Sequence, residues 1–161
     1  MALGDNTLRS AAGNSQRGRN PYMVETTLNW ATALSDKGSA LAAADAVPVI
    51  AVAKGTMILN AGIEVDTATD GSTFTVDLGT GVDPDVFVDG FDATSAAAVV
   101  AQNPAVYQPV MAVADDNIDV TVATLSGGAV TSGKLRIWAV MMDCTDQGND
   151  GTAQEVARDN A

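Results

Sequence analysis

The chain has 161 residues, 47% of them apolar, with 8 basic groups against 20 acidic ones and a net charge of −12. That length suits one domain with a real core, and the acidity argues against nucleic acid or an anionic membrane as partner of the folded body. The absence of histidine and the single Cys144 exclude Ser-His-Asp and Cys-His arrangements, a thiolate metal cluster and an intrachain disulfide.

Residues 1–21 are polar and lack any sustained hydrophobic period, which predicts an extended or disordered arm ending at Pro21. Residues 1–20 carry Arg9, Arg17 and Arg19 against Asp5 alone, a net of +2, while the rest of the chain is at −14. A basic arm on an acidic body is the sharpest charge asymmetry in the sequence. Its functional reading is attachment to an acidic neighbour with ordering on contact; its plain reading is a loose terminus.

Val24–Ala33 mixes β-branched residues, Leu28 and Trp30 and reads as a first strand, followed by a turn at Ser35–Gly38. Ala40–Ala46 has the composition for one helical turn. Val47–Ala53, with Pro48 near its start, is a strand candidate, and Thr56–Thr67 is another, bent at Gly62. Asp70-Gly71 is a strong turn signal, and Thr73–Leu78 alternates after it. Gly79–Asp92 is a Gly- and Asp-rich connection around a short Val-Phe-Val core. Ala93–Ala101 reads as a short helix or a loop, and Val106–Ala114 as a strand with Pro109 at an edge or bend. Asn117–Leu125 and Lys134–Asp143 both alternate clearly and read as a C-terminal hairpin joined by Ser126–Gly133. The outer face of its second strand turns from polar (Lys134, Arg136) to apolar (Trp138, Val140, Met142), as expected where a neighbouring chain or layer covers it. Residues 145–161 lose the alternation.

Seven or eight short strands with turn signals between them predict an all-β fold, an antiparallel β-sandwich of jelly-roll-like topology with an extended N-terminal arm. The division is arm 1–21, sandwich 22–145 and flexible tail 146–161. The start of the chain does not read as a signal peptide and no run reaches about 18 apolar residues; the expectation is synthesis in a cytosol.

Few groups could carry chemistry. Cys144 has no histidine to activate it, which argues against a catalytic thiol. Paired carboxylates could hydrolyse glycosides, but aromatics make up only 4% of the chain, too few for ordinary sugar platforms. Asp83, Asp85 and Asp89 are weak calcium candidates, since a loop of carboxylates supplies the oxygens that calcium takes. The preferred reading is that these aspartates shape turns beside Gly79, Gly81, Pro84 and Gly90. No cofactor is expected.

The blocks PVIAVAKGTMILNAGIEV, STFTVDLGTGVDPDVFVDGFDA and VTVATLSGGAVTSGKLRIWAVMMD, spanning residues 47–143, resemble small virion structural proteins of tailed bacteriophages. The resemblance implies a capsid decoration, or cement, protein on the outer surface of the shell. Its partners would be the major capsid protein and further copies of itself, as a dimer or trimer. The arm with Arg9, Arg17 and Arg19 would suit bridging to neighbours, and Trp138 and Met142 a subunit contact. A tail, fibre or head-fibre component that recognises a host surface is the alternative.

Overall fold

The structure is a computed structural model that describes residues 20–96, 98–101 and 109–144. Arg9, Arg17 and Arg19, the tail from residue 145 and the first part of the strand expected at 106–114 lie outside the described residues.

Among the described residues nine strands and one helix follow one another: β1 (Tyr22–Asn29), α1 (Trp30–Lys37), β2 (Ala46–Val52), β3 (Thr56–Thr67), β4 (Thr73–Thr80), β5 (Val88–Asp92), β6 (Val99–Ala101), β7 (Val110–Met111), β8 (Asp116–Ser126) and β9 (Lys134–Asp143). They form two antiparallel sheets. The first has the order β1-β9-β3-β6, with β7 also paired to β3; the second has the order β2-β8-β4-β5. The pairing is nested: β1 with β9, β2 with β8, β3 with β6 and β7, and β4 with β5 around the tip. A long antiparallel ribbon, folded at β4–β5 and wound over both layers, gives this order, which is that of a jelly roll.

Alternation with period two decides which side chains fill the space between the sheets. Phe74, Val76 and Leu78 of β4, Ile118, Val120 and Val122 of β8, and Leu135, Ile137 and Ala139 of β9 are all buried. Each large aliphatic or aromatic side chain so removed from water stabilises the fold by about 1.5–3 kcal/mol.

Four expectations are corrected. First, the strand beginning at Val24 stops at Asn29, and Trp30–Lys37 is helical. The Asn29 side chain accepts a hydrogen bond from the Ala31 N–H, capping the helix start. Gly38 closes it in the left-handed region at φ 70°. Asn29 is already opposite Lys134, the first residue of β9, so the ladder has no partner beyond it. Second, residues 40–46 form no helical turn; the Ala44 N–H donates to the Val122 carbonyl, which ties this segment to β8. Third, the stretch 93–101 ends in a strand, β6, paired with β3. Fourth, β8 and β9 are not a hairpin: they lie in different sheets, and residues 127–133 cross between the layers. The irregularities in β3 fall at Ile58/Asn60 and Val65/Thr67, with Gly62 in register between them.

The two ends of the sandwich differ. At the α1 end the connections are bound to one another. The Asp70 carboxylate accepts hydrogen bonds from the Thr131 and Ser132 N–H groups at 2.8 and 3.1 Å and from the Thr131 hydroxyl. The Thr69 N–H and hydroxyl donate to the Ala93 carbonyl, and the Trp30 N–H to that of Gly133. Hydrogen bonding, first from the Thr131 hydroxyl, holds the Asp70 carboxyl far below the usual carboxylate range. A carboxyl lowered in the folded state adds stability above the ordinary carboxylate pKa and loses it as pH falls. Asp70→Asn is therefore expected to lower the melting temperature at pH 7 and to lose most of that effect by pH 2. An equal deficit at both values would show that the charge contributes nothing.

Candidate interaction surfaces

The outward face of the first sheet carries the two surface residues singled out in the sequence. Trp138 of β9 stands opposite Glu25 of β1 on one side and Gly62 of β3 on the other. A Cβ at Gly62 would come within 2.2 Å of the Trp138 ring. The indole therefore lies across backbone that only glycine leaves bare. Toward the end of the sheet where β1 begins, Val140 follows, opposite Met23 of β1, and then Met142, opposite Met57 of β3, which in turn faces Met111 of β7. Because paired residues point to the same side of a sheet, Met142, Met57 and Met111 form a row across three strands. Trp138, Val140, Met142 and Met57 are half-buried, whereas Met23 and Met111 are exposed. Methionine side chains re-pack readily against a partner surface.

The other half of the face is charged. Arg136 pairs with Glu64, donating from Nε at 2.7 Å, and lies 3.7 Å from Glu25. The Glu64 carboxylate holds the Arg136 guanidinium more firmly protonated than usual. At this exposure such pairs orient a contact more than they stabilise the fold. The polar-to-apolar change read along Lys134–Asp143 thus maps onto one continuous surface. Arg9, Arg17 and Arg19 lie outside the described residues and are not brought to it.

A second surface lies at the end of the sandwich opposite α1, and of its residues only the aspartates at 83 and 85 stand out in the sequence. A groove of about 520 Å³ opens there between the layers. Val52 and Ile58 line its depth; Val86, Val110 and Ala112 line its sides; Val82 and Val113 stand at its lips. The lips are 87% and 78% exposed, where most large aliphatic side chains of a sandwich are covered. Carboxylates surround the opening. Asp83, Asp115 and Asp116 line it, and Asp85 hydrogen-bonds Asp83, raising the Asp83 pKa. Asp119, behind the rim, is also raised, first by burial and then by the like charge of Asp116. Burial, then the charges of Asp89 and Asp85, raises Asp77. Among the described residues, Asp83, Asp115 and Asp116 take part in no ion pair; the Lys54 N–H donates to the Asp115 carboxylate at 2.9 Å. A signal for the lips exists in the sequence: Val82 sits among Gly81 and Asp83, and Val113 just before Asp115-Asp116, with no alternating partner to bury either.

Among the described residues, no group of three or more His, Cys, Asp or Glu side chains is placed to hold a metal ion. Asp83 and Asp85 meet each other; Asp89 acts on Asp77 instead. Cys144 is half-buried, and its N–H donates to the Gly55 carbonyl at 2.9 Å.

Fold and surfaces together define a small jelly-roll protein with two apolar outer surfaces. No protein-family model matches the chain, and no curated protein matches it. Chains of solved phage capsids do. One from the cyanophage Pam1 capsid asymmetric unit is 16% identical with a TM-score of 0.60, the match covering 88% of this chain and 97% of that one. One from the capsid of Ralstonia phage GP4 is 17% identical with a TM-score of 0.57, covering 79% and 86%. One from the acidic stable capsid of Helicobacter pylori bacteriophage KHP30 is 12% identical with a TM-score of 0.52, covering 76% and 86%. At these identities what is shared is the fold.

Proposed function

We propose that this chain is a phage virion structural protein that docks on the outer surface of the capsid shell as a decoration, or cement, protein and stabilises it through protein–protein contacts. The observation that carries the reading is the likeness in fold, over 97% of that chain's length, to a chain of a phage capsid asymmetric unit. The Trp138–Met142 strip supports attachment, because a half-covered aromatic beside adaptable methionines, bordered by ion pairs, resembles the centre and rim of a protein interface. The partners in this reading are the major capsid protein and further copies of the chain, as a dimer or trimer. The role is non-enzymatic.

Co-sedimentation of the purified chain with empty shells tests the reading. Trp138→Ala combined with Met142→Ala is expected to weaken shell binding about 10- to 100-fold, the cost of removing one or two anchor side chains. A melting curve of the double variant controls for its fold. Unchanged binding would remove this face from the contact. Failure of the unaltered chain to bind shells, together with binding to host cells, would favour a fibre component and overturn the decoration role.

A further inference from the structure

We propose that the groove between Val82 and Val113 is the seat of this chain's own N-terminal segment, residues 1–19, folded back from the start of β1. Three observations converge on that occupant.

The first is position. Tyr22 is opposite Met141 of β9, and Met141 is opposite Ile58 of β3. Ile58 lines the groove. Two ladder steps separate them, about 10 Å at the usual strand spacing. The chain therefore enters the sandwich at the grooved end, and Tyr22 and Met23 are exposed along the way. Nineteen residues span about 60 Å when extended, several times the distance needed.

The second is charge. Residues 1–19 carry Arg9, Arg17 and Arg19 against Asp5. The opening is lined by Asp83, Asp115 and Asp116. Elsewhere on the described surface Lys37 pairs with Asp45, and Arg136 with Glu64 and Glu25. Among the described residues the rim carboxylates Asp83, Asp115 and Asp116 form no ion pair, the Lys54 backbone N–H donating to Asp115 at 2.9 Å; a guanidinium there relieves like-charge repulsion.

The third is shape and polarity. The groove is apolar in its depth and on its lips, and the segment supplies the matching groups in Met1, Leu3 and Leu8, with Leu8 directly beside Arg9. A leucine between the Val82 and Val113 lips with the next arginine on the acidic rim satisfies both parts of the surface. Because the segment is tethered, its effective concentration at the groove is in the millimolar range, enough for a modest contact to close.

Trypsin reads this directly on the full chain, without shells, so the outcome is independent of the decoration role. Arg9, Arg17 and Arg19 are its sites in the segment. Cleavage there is expected to be at least tenfold slower in the unaltered protein than in the Val82→Asp/Val113→Asp variant, and the ratio is expected to hold over a hundredfold dilution. Both substituted positions are exposed, and an unchanged melting temperature verifies the variant's fold. Equal cleavage in the two proteins would overturn the assignment. So would protection that fades on dilution, which would place a second copy in the groove. Protection that appears only when shells are added would overturn it in favour of a capsid partner.

Discussion

Trp30→Ala is expected to lower the stability of the folded chain by about 4 kcal/mol, the cost of emptying a large aromatic site in a packed core. Trp30 is fully buried and is the first residue of α1. Its ring meets Phe74 of β4 edge-on, with centroids 4.9 Å apart and planes at 86°. That contact joins the two sheets, since Trp30 follows directly on β1 of the first and Phe74 belongs to the second. The energy comes from area and ring geometry, not from the indole N–H, which is buried without a hydrogen-bond partner among the described residues. Trp30→Phe keeps much of the area and deletes that unpaired donor, so it is expected to cost about half as much or less. Urea denaturation measures both. If the alanine variant lost under about 1 kcal/mol, the site would be able to collapse and Trp30 would not be the plug between the layers.

Gly79→Ala is expected to cost about 3 kcal/mol, at the upper end of overpacking penalties. A Cβ at Gly79 would stand 2.2 Å from both the Asp83 carbonyl oxygen and the Pro84 carbonyl carbon. These are backbone atoms, so no side-chain rotation relieves the clash. The approach is close because the connection between β4 and β5 folds back on the strand. The Thr80 N–H donates to the Asp83 carbonyl at 2.8 Å and the Phe87 N–H to that of Leu78 at 3.0 Å, while the Thr80 hydroxyl accepts from the Val82 and Asp83 N–H groups. An added methyl group pushes this connection outward and with it Val82 and Asp83 at the groove mouth. The same change at Gly90, where φ is 65° but nothing lies within 4 Å of the added carbon, is expected to cost only about 1–2 kcal/mol. Thermal melts of the two variants side by side give the comparison. A Gly79→Ala variant no worse than Gly90→Ala would show that the connection does not pack against β4 this closely.

The surfaces were legible in unequal measure. Arg136, Trp138 and Met142 could be placed on one outward face because alternation along ten residues needs no knowledge of the neighbours. The row continuing through Met57 and Met111 could not, because it exists only once β9, β3 and β7 are set side by side. The groove was harder still. Val52, Ile58, Val82 and Val113 come from four separate segments of chain, and only the meeting of the two layers makes them neighbours.

By itself the sequence determined the class of the protein. Small aliphatic residues at every second position, as in Ile118–Val122 and Leu135–Ala139, dictate strands with one buried face. The tertiary structure decided which strands pair. The alternating runs of β8 and β9, separated by a loop with glycines at positions 127, 128 and 133, have the local features of a hairpin, yet β8 joins β2 and β4 while β9 joins β1 and β3. Helix α1 arose in the same way: β1 ran out of partner at Asn29, and the cap that Asn29 provides outweighed the strand preference of the residues around it. The physical reason is common to both. A side chain's periodicity reports which face is buried, a property of the segment alone, whereas the partner across the ladder is chosen by which two buried faces close over one core, a property of the whole chain.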